Sequence, residues 1–321
     1  MGIRGLTKFC KQNPQTRCAF KIPAGSLWGL DISCLLYRAA GAGLNPLTVL
    51  AGLLVRFRKA GADIVVVLDG KPPQAKTHVL EERRQARQAA QAEMRALDTA
   101  VSHAGSEKER TSLQARMDTL QRKAPSVTAS DRDQIKQFLW AAGVRFCTAA
   151  GEADDLLAWL VRQGFLTGVL STDTDLLARG VERLVIPETE DGTVLIEHSL
   201  SALLRLTGLT YGQFLHACQF MGSDYVEGTM QPVEAFRAAR LGRECTNKDA
   251  VARLRGDDVT LRSLLSEKEL ARFTAASLPP REPATVAAAS TRCGRWPREW
   301  LTVLCGDGDM VGRATQTVGR G

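Results

Sequence analysis

Residues Asp63-Ile64-Val65-Val66-Val67-Leu68-Asp69 form an almost unbroken β-branched run bounded by two aspartates. A strand with one wet face alternates apolar and polar residues; a continuous apolar run belongs to a strand buried on both faces, as in a parallel sheet covered by helices on each side. Leu27 to Asp31 repeats the form, short, apolar and ended by an aspartate, and Val169 to Ser171 repeats it again with Asp173 two residues on. Helix-like segments of roughly 10–15 residues separate these runs, so an α/β fold is expected: a mostly parallel, doubly wound sheet flanked by helices. Ligands of such sheets bind in the crevice outside the carboxyl ends of the strands, where Asp31, Asp69 and Asp173 would line one edge.

The stretch from Gly151 to Gly180 concentrates acid. Between Gly151 and Asp175 lie Glu152, Asp154, Asp155, Asp173 and Asp175 against a single base, Arg162. The first knot, Glu-x-Asp-Asp, opens a helix and the second, Asp-x-Asp, closes a strand, so both can face the same point. Carboxylates crowded in this way repel one another unless cations sit between them. Hard oxygen ligands with no neighbouring His or Cys point to Mg²⁺ or Mn²⁺ rather than zinc. Taken alone, either knot fits equally well an acidic helix start or a polar turn. A helix over Tyr211 to Met221 runs into Gly222-Ser223-Asp224-Tyr225 and makes Asp224 a further candidate ligand.

The net charge is +7 although acid is gathered in one stretch, so the rest of the chain is more basic than the total shows and suits a polyanionic partner. No run of about 18 apolar residues occurs and the N-terminus lacks an apolar signal core, so an intracellular protein, neither secreted nor membrane-bound, is expected. The eight cysteines form no CxxC pair and no Cys/His cluster, which argues against structural zinc and against a disulfide framework. They read as reduced, mostly buried fillers. The four histidines, at 78, 103, 198 and 216, offer no nucleophile–base arrangement.

Helices are expected over Ser33–Ala40, Pro46–Lys59 and Asp131–Ala142, a strand over Val144–Phe146, and a hairpin in which Leu184–Pro187 and Val194–Glu197 flank Glu190-Asp191-Gly192. Gly70-Lys71-Pro72-Pro73 breaks the chain, and residues 76–136 then carry twelve basic against nine acidic side chains. Two helices, about 79–102 and 107–123, are expected there, with few apolar positions (Val79, Leu80, Met94, Leu97, Val101), so the segment should stand away from the core. By itself it fits a solvated helical hairpin. Lys76, Arg83, Arg84 and Arg87, spaced i, i+7, i+8 and i+11, would form a basic stripe close after Asp69 and could hold phosphates beside the acids. Beyond residue 226 helix-like pieces alternate with loops, Pro279-Pro280 and Pro283 mark an irregular connection, and 307–321 reads as a loose, flexible tail.

Collected in order, these stretches resemble the flap endonuclease branch of the XPG-like structure-specific nucleases. MGIRGLTKF is similar to that family's opening, GLDIS and VVVLDGKPPQAK to its first two metal-site aspartates, GEADD to its E-A-E/D element, STDTDLL to T-x-D-x-D, and GSDY to G-S-D-Y. Trp296 and Leu304-Cys305-Gly306 resemble its last shared element. The resemblance implies that Asp31, Asp69, Glu152, Asp154, Asp173, Asp175 and Asp224 hold two Mg²⁺, with Mn²⁺ able to substitute; Asp155 is extra, where relatives often carry a small residue. It places Lys76 and Arg83 at the scissile phosphate and Tyr37, which could otherwise be a core aromatic, where a nucleotide stacks. Gly2 would approach the substrate through its backbone, and Arg84 and Arg87 would be positioning contacts.

It further implies one nuclease domain over 1–321: an N-terminal region (1–75), a helical arch (76–136), an internal region (137–225), a helical duplex-binding portion (226–306) and the tail. The expected function is metal-dependent endonucleolytic cleavage of branched DNA at 5′ flaps, with 5′-exonuclease activity, in replication, repair or recombination. Its setting would be the nucleus, or the cytoplasm for a viral protein, and its state a monomer. A relative cutting RNA or other junctions, or a non-catalytic nucleic-acid binder on the same scaffold, are the alternatives. Two features depart from the family. Glu227-Gly228-Thr229-Met230-Gln231-Pro232 stands where relatives have a Gly-x-Gly hairpin that grips duplex phosphates through K⁺. The chain also lacks the family's clamp-binding motif and basic tail, so docking to a sliding clamp by that route is not expected.

Overall fold

The structure, a computed structural model, describes residues 2–270 apart from 74, 75, 225, 257 and 258. The first part of the chain forms α1 (Leu6–Gln12), β1 (Arg17–Ala19), β2 (Leu27–Asp31), α2 (Ile32–Gly41), α3 (Pro46–Lys59) and β3 (Asp63–Leu68). A long helical hairpin follows, α4 (Thr77–His103) and α5 (Glu107–Lys123). The chain then returns through α6 (Ala129–Ala141), β4 (Arg145–Thr148), α7 (Ala153–Arg162), β5 (Gly168–Leu170), α8 (Asp175–Ala178), β6 (Arg183–Pro187) and β7 (Leu195–Ser199). The remaining described elements are helical: α9 (Leu200–Thr207), α10 (Tyr211–Met221), α11 (Pro232–Arg240), α12 (Lys248–Arg255), α13 (Leu261–Leu264) and α14 (Glu267–Leu270).

The seven strands make one sheet in the order β1-β7-β6-β5-β2-β3-β4. β6, β5, β2, β3 and β4 are parallel, while β7 and β1 continue the β6 edge antiparallel. Both faces of β3 are covered, as its β-branched run requires. Val65 and Val67 pack into a core with α7 and α10, and Ile64, Val66 and Leu68 pack into a second core with α2, α3 and α6. After β4 the chain crosses back to lay β5 on the other side of β2, which puts a topological switch point between β2 and β5. A crevice must open there at the carboxyl ends of the strands.

Tertiary pairing added what local pattern could not supply. β1 was not expected; its three residues have partners only because β7 offers an open edge, in register Arg17↔His198 to Ala19↔Ile196. Asp31 caps α2 by accepting the amide of Ser33, so that helix begins one residue earlier than the periodicity predicts. The hairpin buries Ala90 and Leu97 of α4 and otherwise presents polar faces. An Arg116–Glu93 ion pair ties its two arms together, and Gln121 bonds the carbonyl of Ala40 in α2 at its base. Six of the cysteines are free, four of them buried. The proline-rich connection near 279–283, Trp296, Leu304 to Gly306 and the tail lie outside the described residues. No described helix is long and apolar enough to cross a membrane.

Candidate active site

Each expected aspartate is set by a strand end or a helix start. Asp31, last residue of β2, accepts amide bonds from Ser33 (3.0 Å) and Cys34 (3.4 Å) through one oxygen and the Ser171 hydroxyl (3.0 Å) through the other. Asp69, one residue past β3, accepts the Ala153 amide (2.9 Å) and the Ser33 hydroxyl (2.5 Å). That reach across to α7 depends on Gly70, whose amide donates to the carbonyl of Gly151 (2.7 Å). A Cβ there would lie 1.9 Å from the Ala149 carbonyl oxygen, so only glycine lets the two loops touch. Glu152 is the N-cap of α7 and Asp154 lies in its first turn. Asp173 follows β5 and accepts the amide of Asp175, the first residue of α8 (3.0 Å). Gly2, at a φ of 99°, packs so closely on this turn that a Cβ would meet Thr174 Oγ1 at 2.5 Å and Asp173 Oδ1 at 2.6 Å.

Asp31, Asp69, Glu152, Asp154 and Asp173 line a single cavity of about 500 Å³. Asp224 joins them through Lys76, whose ammonium pairs with Glu152 at 2.5 Å and with Asp224 at 3.2 Å, and through Arg83, which pairs with Asp224 at 2.8 Å. The basic stripe is divided by the helix. Lys76, Arg83 and Arg87 line the cavity, whereas Arg84, about 80° further round at 100° per residue, faces out to an exposed contact with Glu81. Tyr37 is no core aromatic: it lines the same cavity, its hydroxyl accepting from Arg132 at 3.4 Å.

Two residues were missed as partners. Arg179, four residues beyond Asp175 in the same stretch, is buried, bonds Asp155 and stands 3.9 Å from Glu152. Arg132 lies near the start of the helix expected over Asp131–Ala142. No sequence signal distinguishes either from other arginines.

Burial and mutual repulsion dominate the electrostatics. Burial first, then the Asp69 charge, lifts Asp31 to about 6. Burial and Asp173 lift Asp175 to about 7, and burial with Asp173 and Asp31 raises Asp154 well above the carboxylate range. Burial alone would lower Lys76, yet Glu152 and Asp224 hold it above its ordinary value. Burial pushes Asp224 up, but Lys76 and Arg83 outweigh that and keep it low.

A carboxyl whose folded pKa is raised binds more protons folded than unfolded between its unfolded value, 3.8, and its folded one, so stability falls as pH rises through that interval. Asp224 has the opposite sign, but its contribution is lost only below its unfolded value. His198, held by burial down at about 4, works the other way up to its unfolded value of 6.5, so in EDTA the melting temperature is expected to fall by a few degrees between about pH 6.5 and about pH 8. A flat or rising profile in thermal denaturation would contradict a ring of buried, mutually repelling acids.

The donors present fit hard divalent cations. Asp154 Oδ1 and Asp175 Oδ1 are buried and have no hydrogen-bond partner among the described residues, a costly arrangement for acceptors with nothing to accept from. As the side chains stand, no three His, Cys, Asp or Glu among the described residues converge into a closed ligand set. Lys76 accounts for that in part, because its ammonium holds Glu152 at 2.5 Å.

The family model described as the XPG I-region matches residues 143–224. Flap endonuclease 1 of Chlamydomonas reinhardtii is 30% identical over 264 residues, 75% of this chain and 63% of that protein. Flap endonuclease 1 of Entamoeba histolytica is 28% identical over 259 residues, covering 74% and 66%. The chain thus spans about two thirds or less of the length of these relatives. Among solved structures, flap endonuclease-1 from Methanococcus jannaschii superposes with a TM-score of 0.61 at 15% identity, over 92% of this chain and 96% of that one. The catalytic core of Rad2 in complex with DNA substrate gives 0.61 at 14% identity, over 95% and 99%. At such identities these two report the fold. The chain therefore carries the XPG I-region over residues 143–224 and, over about three quarters of its length, is similar to flap endonuclease 1 proteins.

Proposed function

We propose that the chain is a divalent-metal-dependent structure-specific endonuclease that hydrolyses phosphodiester bonds in branched DNA at 5′ flaps, with 5′-exonuclease activity, acting as a monomer where DNA is replicated or repaired. The observation that carries this reading is the cavity itself, which carboxylates from three adjacent strand ends and a helix start line together with Lys76, Arg83 and Arg87. Asp31, Asp69, Glu152, Asp154, Asp173, Asp175 and Asp224 would hold two Mg²⁺ or Mn²⁺, which supply Lewis acidity and a nucleophilic water at neutral pH. Lys76 and Arg83, which satisfy Glu152 and Asp224 before a phosphate arrives, are placed to turn to its oxygens as charge develops there. Tyr37, supported by Arg132, offers a ring against which a base can stack, and the hairpin α4–α5 forms the arch over the entrance. Arg84, facing outward, is left at most a peripheral contact.

The test is cleavage of labelled DNA and RNA flap, nick, bubble and four-way-junction substrates with Mg²⁺. Preference for the 5′ flap is expected. Preference for RNA or for another junction would reassign the substrate, and no cleavage of any of them would leave a nucleic-acid binder.

Duplex binding should also differ from that of relatives with a Gly-x-Gly hairpin. Between α10 and α11 the amides of Thr229 and Met230 both donate to the Phe220 carbonyl, 3.0 Å each, so this turn is closed on itself. Of the basic residues beyond it, Arg240 bonds the Thr207 carbonyl and Arg243 lies over the Phe220 ring at 5.8 Å, while Arg237 is exposed on α11. Direct Arg–phosphate contacts depend on total salt and not on which monovalent cation supplies it. Flap-DNA affinity is expected to be equal in KCl and NaCl at matched ionic strength; a clear K⁺ preference in a binding titration would show that the turn does build an ion site.

A further inference from the structure

Three cations sit among the carboxylates, and one of them is unlike the others. Lys76 and Arg83 line the cavity, where a phosphate can reach them; Arg179 does not, and its side chain is only 4% exposed. Its guanidinium bonds Asp155 through Nη1 and stops 3.9 Å short of Glu152 Oε2. Its Nε is buried with no hydrogen-bond partner among the described residues. The backbone is pinned as well. Arg162 Nη1 donates to the Arg179 carbonyl at 3.0 Å while the same guanidinium holds the carbonyls of Arg255 and Gly256, each at 2.8 Å, so Arg179 is clamped between α7, α8 and the end of α12.

A fixed positive charge in this place has two opposed effects. It stabilises the ring while no divalent cation is bound, because Lys76 relieves only part of the repulsion among Glu152, Asp154 and Asp175. It also competes with any cation that the ring would attract. Asp155 decides the balance, since it is the carboxylate that bonds the Arg179 guanidinium directly, while Glu152 stands 3.9 Å away. By holding the guanidinium it leaves Glu152 outside direct contact and able to turn to the cavity. We propose that the Asp155–Arg179 pair sets the divalent-cation affinity of the carboxylate ring, Arg179 acting as a built-in counter-ion that Asp155 restrains from closing on Glu152. This rests on the reading of the ring as a metal site.

The test is Mn²⁺ binding to the full chain without DNA, followed by calorimetry or electron paramagnetic resonance, with melting temperatures in EDTA alongside. Asp155→Asn releases Arg179 onto Glu152 and is expected to weaken Mn²⁺ binding by on the order of tenfold. Arg179→Met removes the competing charge and is expected to tighten it by a similar factor while lowering the melting temperature in EDTA; Arg179→Gln serves the same purpose if the Met variant does not fold. Arg179→Lys, which keeps the charge, should stay within a few-fold of wild type. The deciding measurement is the double variant. With Arg179 replaced, Asp155→Asn should no longer weaken binding, because its effect runs through the guanidinium. An equal loss in both backgrounds would make Asp155 merely one more negative charge and overturn the proposal, as would unchanged affinity in Arg179→Met and Arg179→Gln. Wild-type protein that binds no Mn²⁺ would instead overturn the metal reading beneath it.

Discussion

Asp173→Ala is expected to lower single-turnover cleavage of a 5′-flap substrate by roughly three orders of magnitude or more, equivalent to about 4 kcal/mol of transition-state stabilisation, while DNA binds as tightly as before or tighter. Both halves follow from its position. Asp173 lies on the cavity wall beside Asp31 and Asp154 and orients Asp175 by accepting its amide, so its loss removes one carboxylate and loosens a second. The phosphodiester approaching that wall is itself an anion, and one negative charge fewer reduces its repulsion. Cleavage in Mg²⁺, binding by anisotropy in EDTA, and circular dichroism to verify the fold would settle the matter. Turnover near the wild-type rate would remove the two-metal reading.

Lys76→Ala and Arg83→Ala are expected to reduce the single-turnover rate by about 10²- to 10³-fold each, with flap affinity changed only a few-fold, because a donor aimed at developing charge acts mainly on the transition state. Arg87→Ala, one turn further along α4, should be milder. The two severe variants should differ from each other in metal-free stability. Lys76 is largely buried and bridges Glu152 and Asp224, so its removal strands two carboxylates; Arg83 is more exposed and pairs with Asp224, which Lys76 also holds. Lys76→Ala should therefore melt lower in EDTA than Arg83→Ala. Equal losses of affinity in all three variants with the cleavage rate preserved would reduce the stripe to an electrostatic landing site.

How much of this was legible beforehand depended on whether a feature was local. The run Ile64 to Leu68 announces a strand covered on both sides because every residue in it is apolar, and Asp31 and Asp69 announce the strand ends because they interrupt such runs. Tyr211 to Met221 and Pro46 to Lys59 were legible to the residue, one with Thr210 and Gln213 forming a capping box, the other with Asn45 and Pro46 at its start. β1 was not legible, since Arg17-Cys18-Ala19 carries no strand pattern and owes its form to β7, 180 residues away. The same limit hid Arg179. Its chain neighbours are apolar, and nothing near it in sequence says that Asp155, 24 residues earlier, will be its partner.

The sheet order gives the two halves of the cavity very different freedom to vary. The hairpin is one excursion between β3 and α6 that rests on α2 at its base, and lengthening such a loop is tolerated thermodynamically, each doubling costing only about 0.6 kcal/mol in closure entropy. Across a lineage its length and its outer residues can drift, and with them the width of the opening. The acidic wall has no such latitude. Asp31 and Asp173 are brought together by the pairing of Trp28 to Leu30 with Gly168 to Leu170, and a slip of a single residue in that register would turn one strand's side chains to the opposite face of the sheet. On the proposed function, diversification of the substrate can therefore proceed through the hairpin while the acidic wall stays as it is.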